Sequence, residues 1–129
     1  MAQEALILEN YLWKNRIVIL FAPYDSSVLL RKQYATLKSD FRGLKERDLL
    51  LIRVVSDQVE GEEFSRGADE AQQLRRQYQI ADNAFCVVLI GKDGSEKIRS
   101  NDIVSRDELY AVIDAMPMRR QEMKKKGEY

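Results

Sequence analysis

Apolar residues occur along this chain either in short unbroken runs or at helical spacing, and the succession of the two predicts its elements. Ile17-Val18-Ile19-Leu20-Phe21 is a continuous run without alternation, the pattern of a strand buried on both faces. Pro23 ends the ladder, and Asp25, Ser26 and Ser27 then offer N-cap oxygens. Leu30, Tyr34, Leu37, Phe41 and Leu44 recur at spacings of four and three, which predicts one helix with these residues on its inner face. Leu49 to Val55 reads as a second buried strand, and the acidic, glycine-containing stretch Gln58 to Gly67 as a surface loop. Ala71, Leu74 and Tyr78 mark a second amphipathic helix, closed by Ile80. Phe85 to Ile90 is a third apolar run. Gly91-Lys92-Asp93-Gly94 then reads as a hairpin turn into a short fourth strand from Glu96 to Arg99, because Asp-Gly supplies positive φ. Ser105 and Glu108 form a capping-box pattern ahead of a last helix with Leu109, Val112, Ile113 and Met116 inward. Pro117 disfavours helical geometry at Met116, so that helix should end or kink there. The basic tail 119–129 is expected to fray.

The resulting order is β-α-β-α-β-β-α. A βαβ unit requires a right-handed crossover and a parallel pair, whereas the closing hairpin makes the last two strands antiparallel. The expected architecture is α/β, a mixed central sheet of about four strands flanked by helices. An Asp93-Gly94 hairpin argues against the five parallel strands of a receiver-like fold. With no repeat or linker, residues 1–129 read as one domain.

Composition narrows the chemistry. Lys plus Arg and Asp plus Glu are equal at 21 each, which disfavours nucleic acid as a partner. Histidine is absent, removing the usual general base and the commonest metal ligand. One cysteine, Cys86, permits neither an internal disulfide nor a thiolate zinc cluster, and no cofactor is expected. Within an apolar strand it reads as a small hydrophobe with a raised pKa. No apolar run approaches the roughly 20 residues of a transmembrane helix. Met1-Ala2-Gln3-Glu4 does not open a signal peptide, although Ala2-Gln3-Glu4 fits the mature end of an exported protein. Lack of disulfides fits the cytosol as well, so both compartments stay open.

The residues after the first strand resemble a peroxiredoxin segment in which Pro, Asp, Thr and a peroxidatic Cys follow at fixed steps. Pro23 and Asp25 match, Ser27 stands in the place of the Thr, and Leu30 in that of the Cys. Set against thioredoxin, Ala22-Pro23-Tyr24 resembles the run before CxxC, with Asp25 and Val28 at the cysteine positions; Asn83-Ala84 occupies the place of that fold's cis-proline. The second half is more specific. Leu89-Ile90-Gly91-Lys92-Asp93-Gly94, Lys97-Ile98-Arg99 and the run Ile113 to Met123 with its Met-Pro-Met-Arg-Arg core resemble the P-DUDES domain, as do Trp13 and Arg16. The resemblance spans essentially the whole chain. It implies a thioredoxin-like, peroxiredoxin-related fold and no known enzymatic activity. Such domains occur singly in bacterial proteins, often exported, and in animal sushi-repeat and coiled-coil-domain-containing matrix proteins with suggested adhesive roles.

Three functional expectations follow. The first is a non-catalytic protein-interaction domain, with Met116, Pro117, Met118, Arg119 and Arg120 as candidate surface, because methionine and arginine are over-used at recognition sites. The competing view is a terminating helix whose methionines pack on the sheet and whose arginines are solvated. Pro23, Asp25, Ser27 and Leu30 mark a second candidate place, a degenerate active-site corner; without histidine, a serine nucleophile would depend on Arg31 or Lys32. The second expectation is residual thiol chemistry at Cys86. The third is small-molecule or anion binding by Lys92 and the arginines, with Gly91, Lys92, Asp93 and Gly94 as an alternative to a simple turn. The Lys124-Lys125-Lys126 run reads as solvated charge. Oligomeric state is not legible.

Overall fold

All seven residues of the first strand are buried, because helices cover both faces of the sheet at that point. In the computed structural model, residues 6–62 and 64–127 are described. Its elements are α1 (Leu6–Glu9), β1 (Arg16–Ala22), α2 (Val28–Lys38), α3 (Phe41–Glu46), β2 (Leu49–Val55), β3 (Gln58–Glu60) and β4 (Ser65–Arg66). They continue with α4 (Ala68–Tyr78), β5 (Cys86–Ile90), β6 (Glu96–Ser100), α5 (Arg106–Asp114) and α6 (Pro117–Lys125). The Met1-Ala2-Gln3-Glu4 start lies outside the described residues.

The sheet order is β4-β3-β2-β1-β5-β6. β1 and β2 are parallel, β1 and β5 antiparallel, and β5 and β6 form the predicted antiparallel hairpin. Residue alternation divides the core between the faces. Ile17, Ile19, Phe21, Cys86, Val88 and Ile90 pack with Leu8 of α1 and with Ala71, Leu74 and Tyr78 of α4. Val18, Leu20, Ala22, Val87 and Leu89 pack with α2, α3 and α5 through Leu30, Leu37, Leu44, Leu109 and Ile113.

The mixed α/β sheet between helices is as predicted, and three expectations are corrected in detail. Gln58 to Gly67 is not simply a loop: β3 pairs with Arg53–Val55, and β4 pairs with β3, widening the sheet by two short strands. Val59 anchors them in the core despite its polar neighbours. The helix expected through Leu44 is two helices. Asp40 leaves helical geometry and its side chain accepts from the Gly43 N–H at 3.2 Å, starting α3 and turning Phe41 out to 53% exposure. Gly43 suits the site because a Cβ there would collide with the Asp40 carboxylate and the Tyr110 hydroxyl.

Third, the basic tail does not fray over 119–125, which belongs to α6. The preceding helix does stop, at Asp114, but Pro117 then occupies the first turn of α6, where its missing N–H costs nothing and its fixed φ is suitable. Elsewhere the local signals hold. Ser105 Oγ accepts from the Glu108 N–H at 3.1 Å, and Gly94 closes the β5–β6 turn at φ +84°.

Candidate functional site

Two places hold the residues singled out by the sequence, and they lie at opposite ends of β1. At its C-terminal end the chain leaves the sheet at Ala22, passes Pro23 and Tyr24, and enters α2 behind Ser27. Ser27 is the N-cap: its Oγ accepts from the Leu30 N–H at 3.3 Å. Asp25 and Ser26 are exposed and do not cap the helix; the Asp25 carbonyl accepts from Arg31 Nε at 3.1 Å. Leu30 is 2% exposed and packs into the core. The position that the resemblance matches to a peroxidatic cysteine is therefore filled by a buried hydrocarbon. Tyr24 and Val28 are the exposed apolar residues of the corner.

Cys86 lies on the other side of the sheet. It is 1% exposed and its side chain lies on the α1–α4 face of the sheet, whereas Leu30 lies on the other. Burial pushes its thiol up, opposite to the shift that makes cysteine reactive.

At the N-terminal end of β1, charge is buried. Arg16, fully buried, donates from both terminal nitrogens to the Glu122 carboxylate at 3.1 and 3.2 Å and from Nη1 to the Arg47 carbonyl at 2.9 Å. Lys92 reaches the same carboxylate at 2.6 Å and Asp48 at 2.9 Å. Arg119, 1% exposed, donates to Asp114 at 3.0 Å, to the Glu46 carbonyl at 3.2 Å and to the Glu46 carboxylate at 3.3 Å. Arg47 adds a two-pronged pair to Asp114 and lies 3.8 Å from the centre of the Tyr110 ring. Burial alone pushes the Glu122 carboxyl up, but hydrogen bonds from Arg16 and Lys92 outweigh it and hold the group below the usual carboxylate range. Asp114 is held low in the same way, its burial outweighed by Arg47 and Arg119. The Tyr110 hydroxyl, which donates to Asp40, is pushed up to about 12 by burial and by that carboxylate.

The Met116 to Arg120 run is thus not one surface. Pro117, Met118 and Arg120 are exposed, Met116 packs partly on the core, and Arg119 points inward. The expectation of a solvated Arg119, or of Arg119 as part of an exposed surface, is corrected, and Lys92, a candidate anion ligand, is buried like Arg119 against carboxylates. In the turn, Asp93 accepts from the Ser95 N–H and hydroxyl, and Gly91 N–H donates to the Ser95 carbonyl. Trp13 has φ +67°, its N–H donates to the Lys92 carbonyl at 2.7 Å, and its ring is exposed.

Sequence reasoning did not foresee a groove of about 600 Å³ between α2–α3 and the edge of β2, lined by Tyr34, Phe41, Leu44, Leu49 and Leu51 among others. The signal for it was Ser39-Asp40, whose capping tendency splits the helix and frees Phe41 from the core.

A family model described as a domain of unknown function, DUF4174, matches residues 7–122. The chain belongs to the DUF4174 family. Coiled-coil domain-containing protein 80 of Danio rerio is 30% identical to this DUF4174 chain over 139 residues, which cover 90% of the chain and 16% of that protein. Sushi repeat-containing protein SRPX2 of Homo sapiens is 25% identical over 126 residues, covering 95% of the chain and 27% of its own length. These matches bear out the resemblance to sushi-repeat and coiled-coil-domain-containing proteins. The chain spans 16% to 27% of the length of these relatives. Among solved structures, a reduced 2-Cys peroxiredoxin from Plasmodium vivax superposes with a TM-score of 0.66 at 16% identity, covering 88% of this chain and 84% of that one. Thioredoxin peroxidase I of Plasmodium yoelii gives 0.63 at 20% identity, covering 95% and 82%. The DUF4174 chain has the thioredoxin fold in its peroxiredoxin-like form.

Proposed function

We propose that this chain is a single non-catalytic domain that uses the peroxiredoxin-like scaffold to bind another protein. The observation that carries this reading is Leu30, buried where a peroxide-reducing thiolate would need to be exposed and hydrogen-bonded at the start of α2. Peroxide reduction and disulfide exchange both begin with thiolate attack, and the chain's one thiol is buried on the opposite face. Exposed apolar residues near the corner, Tyr24 and Val28, and on α6, Met118, support a role in contact.

The test has two arms. Peroxide consumption with dithiothreitol as reductant, and insulin disulfide reduction, are expected to stay at the level of buffer. A photo-crosslinking residue placed in turn at Tyr24, Phe41 and Met118 is expected to trap one protein reproducibly from one position. Thiol-dependent turnover, abolished by Cys86→Ser, would overturn the reading.

A further inference from the structure

β2 is paired along only part of its outer edge. Its inner edge meets β1 throughout, from Leu49 to Val55. On the outer side β3 covers only Arg53–Val55. After Glu60 the chain turns away at Gly61, whose N–H donates to the Phe64 carbonyl and where a Cβ would collide with the Phe64 ring. Leu49 to Ile52 is left without a strand partner on that side among the described residues.

The direction of the unpaired groups follows from the ladder. Asp48 C=O accepts from Arg16 N–H, and Ser56 N–H donates to Ala22 C=O, so even-numbered residues of β2 face β1. Backbone groups alternate along a strand, so Leu49 and Leu51 turn both N–H and C=O outward, as Arg53 and Val55 do toward β3. Two donors and two acceptors thus stand in a row about 7 Å apart, the repeat that a further strand satisfies.

Those groups open into the groove beneath α2 and α3. Side chains of Leu49 and Leu51 belong to the α2–α3 face, with Leu44 and the ring of Tyr34, and Phe41 is half exposed above them. Lys38 and Lys45 line the same groove, and neither has a carboxylate within ion-pairing distance among the described residues. Two of the groove's carboxylates are already occupied, Glu60 by Arg53 and Asp48 by Lys92. Glu62 lies at the β3 end. An incoming strand would place residues i−2, i and i+2 on the helix side, an apolar one toward Phe41 and acidic ones toward the lysines.

We propose that this groove, on the interaction-domain reading above, takes an extended segment of a partner protein as an added strand along Leu49–Leu51. The segment carries an apolar residue with an acidic residue two positions to either side.

The probe is a fluorescein-labelled Glu-Thr-Val-Thr-Glu peptide, capped at both ends, titrated into the full chain by anisotropy and followed by amide NMR. Saturable binding is expected, with shifts centred on Leu49 and Leu51 and slowed hydrogen exchange at both amides. A Lys-Thr-Val-Thr-Lys peptide, or the first peptide with its valine N-methylated, should bind at least tenfold more weakly. Phe41→Ala and Lys45→Glu should each weaken binding severalfold in a chain that still unfolds cooperatively in urea, since Lys45 is exposed and Phe41 half exposed.

No saturable binding up to millimolar peptide overturns the proposal, as does equal binding of the N-methylated peptide. Shifts confined to Tyr24–Val28 overturn it too, but leave the interaction-domain reading standing. Concentration-dependent dimerisation that buries the Leu49–Leu51 edge and excludes the peptide would assign the edge to a second copy of the chain and end the proposal. Failure of the broader reading shows separately, as thiol-dependent turnover.

Discussion

The two ends of β1 hold the residues that make this chain conspicuous, and they use them in opposite ways. At the C-terminal end the corner from Pro23 to Leu30 has a proline, an exposed aspartate and a serine N-cap, and ends on a buried leucine. At the N-terminal end Arg16, Lys92 and Arg119 are buried against Glu122, Asp48, Asp114 and Glu46; the Glu122 pairs clamp α6 to the sheet, and Arg119 ties that helix to α3 and α5. The buried charges at the N-terminal end therefore act as structural fasteners, and the corner at the C-terminal end is a packed helix start. A cluster of charges is not by itself a sign of chemistry when every member is already answered by a carboxylate.

The largest effect that sharpens this contrast is expected at Glu122. Glu122→Gln keeps the volume but leaves Arg16 and Lys92 buried without their shared carboxylate, for a loss of about 3–5 kcal/mol in urea unfolding. A change below about 1 kcal/mol, the scale of surface pairs, would mean that the cluster is no clamp. At the other end Leu30→Ala should cost about 3 kcal/mol, because it empties a core position and not a reactive one.

Acid comes next. Glu122 and Asp114 are held below the ordinary range in the folded state, so the unfolded chain binds protons first as pH falls. Their contribution is complete above about pH 5, where unfolded carboxylates are ionised, and is lost as pH drops through the lower folded pKa values. Unfolding midpoints from pH 6 down to 2 should show this decline, with a shallower slope in Glu122→Gln. A smaller loss, about 1 kcal/mol by thermal unfolding, is expected for Ser27→Ala, which removes the cap of α2. Met118→Ala should lie within about 0.5 kcal/mol of the parent, in contrast to its neighbour Arg119. Equal effects at the two positions would erase the distinction between the outer and inner sides of α6.

Much of the fold was legible because its signals are local. The runs at Ile17–Phe21 and Phe85–Ile90, the Asp93-Gly94 turn and the Ser105 cap each act within a few residues. β3 and β4 escaped because strands of three and two residues with mostly polar side chains have no periodicity to read. The split between α2 and α3 escaped because Phe41 and Leu44 fit a continued helix as well, and only the Asp40 cap decides between the two. Of the candidate residues, Ser27 as an N-cap was legible from its place before an apolar helix, and Leu30 as a core residue from its helical spacing.

By itself, then, the order of residues determined the succession of the long central strands and the helices that cover them, the lack of a second thiol and the lack of any imidazole. Those depend on side-chain identity and on neighbours a few positions away. Tertiary structure alone decided that Arg119 turns inward, that Lys92 is paired, and that half of the β2 edge stands open above a groove. Arg16 meets Glu122 across 106 positions, and β3 leaves β2 after three residues because Gly61 turns the chain away. Burial and pairing at such separations follow from how the layers stack, which no window of local sequence contains.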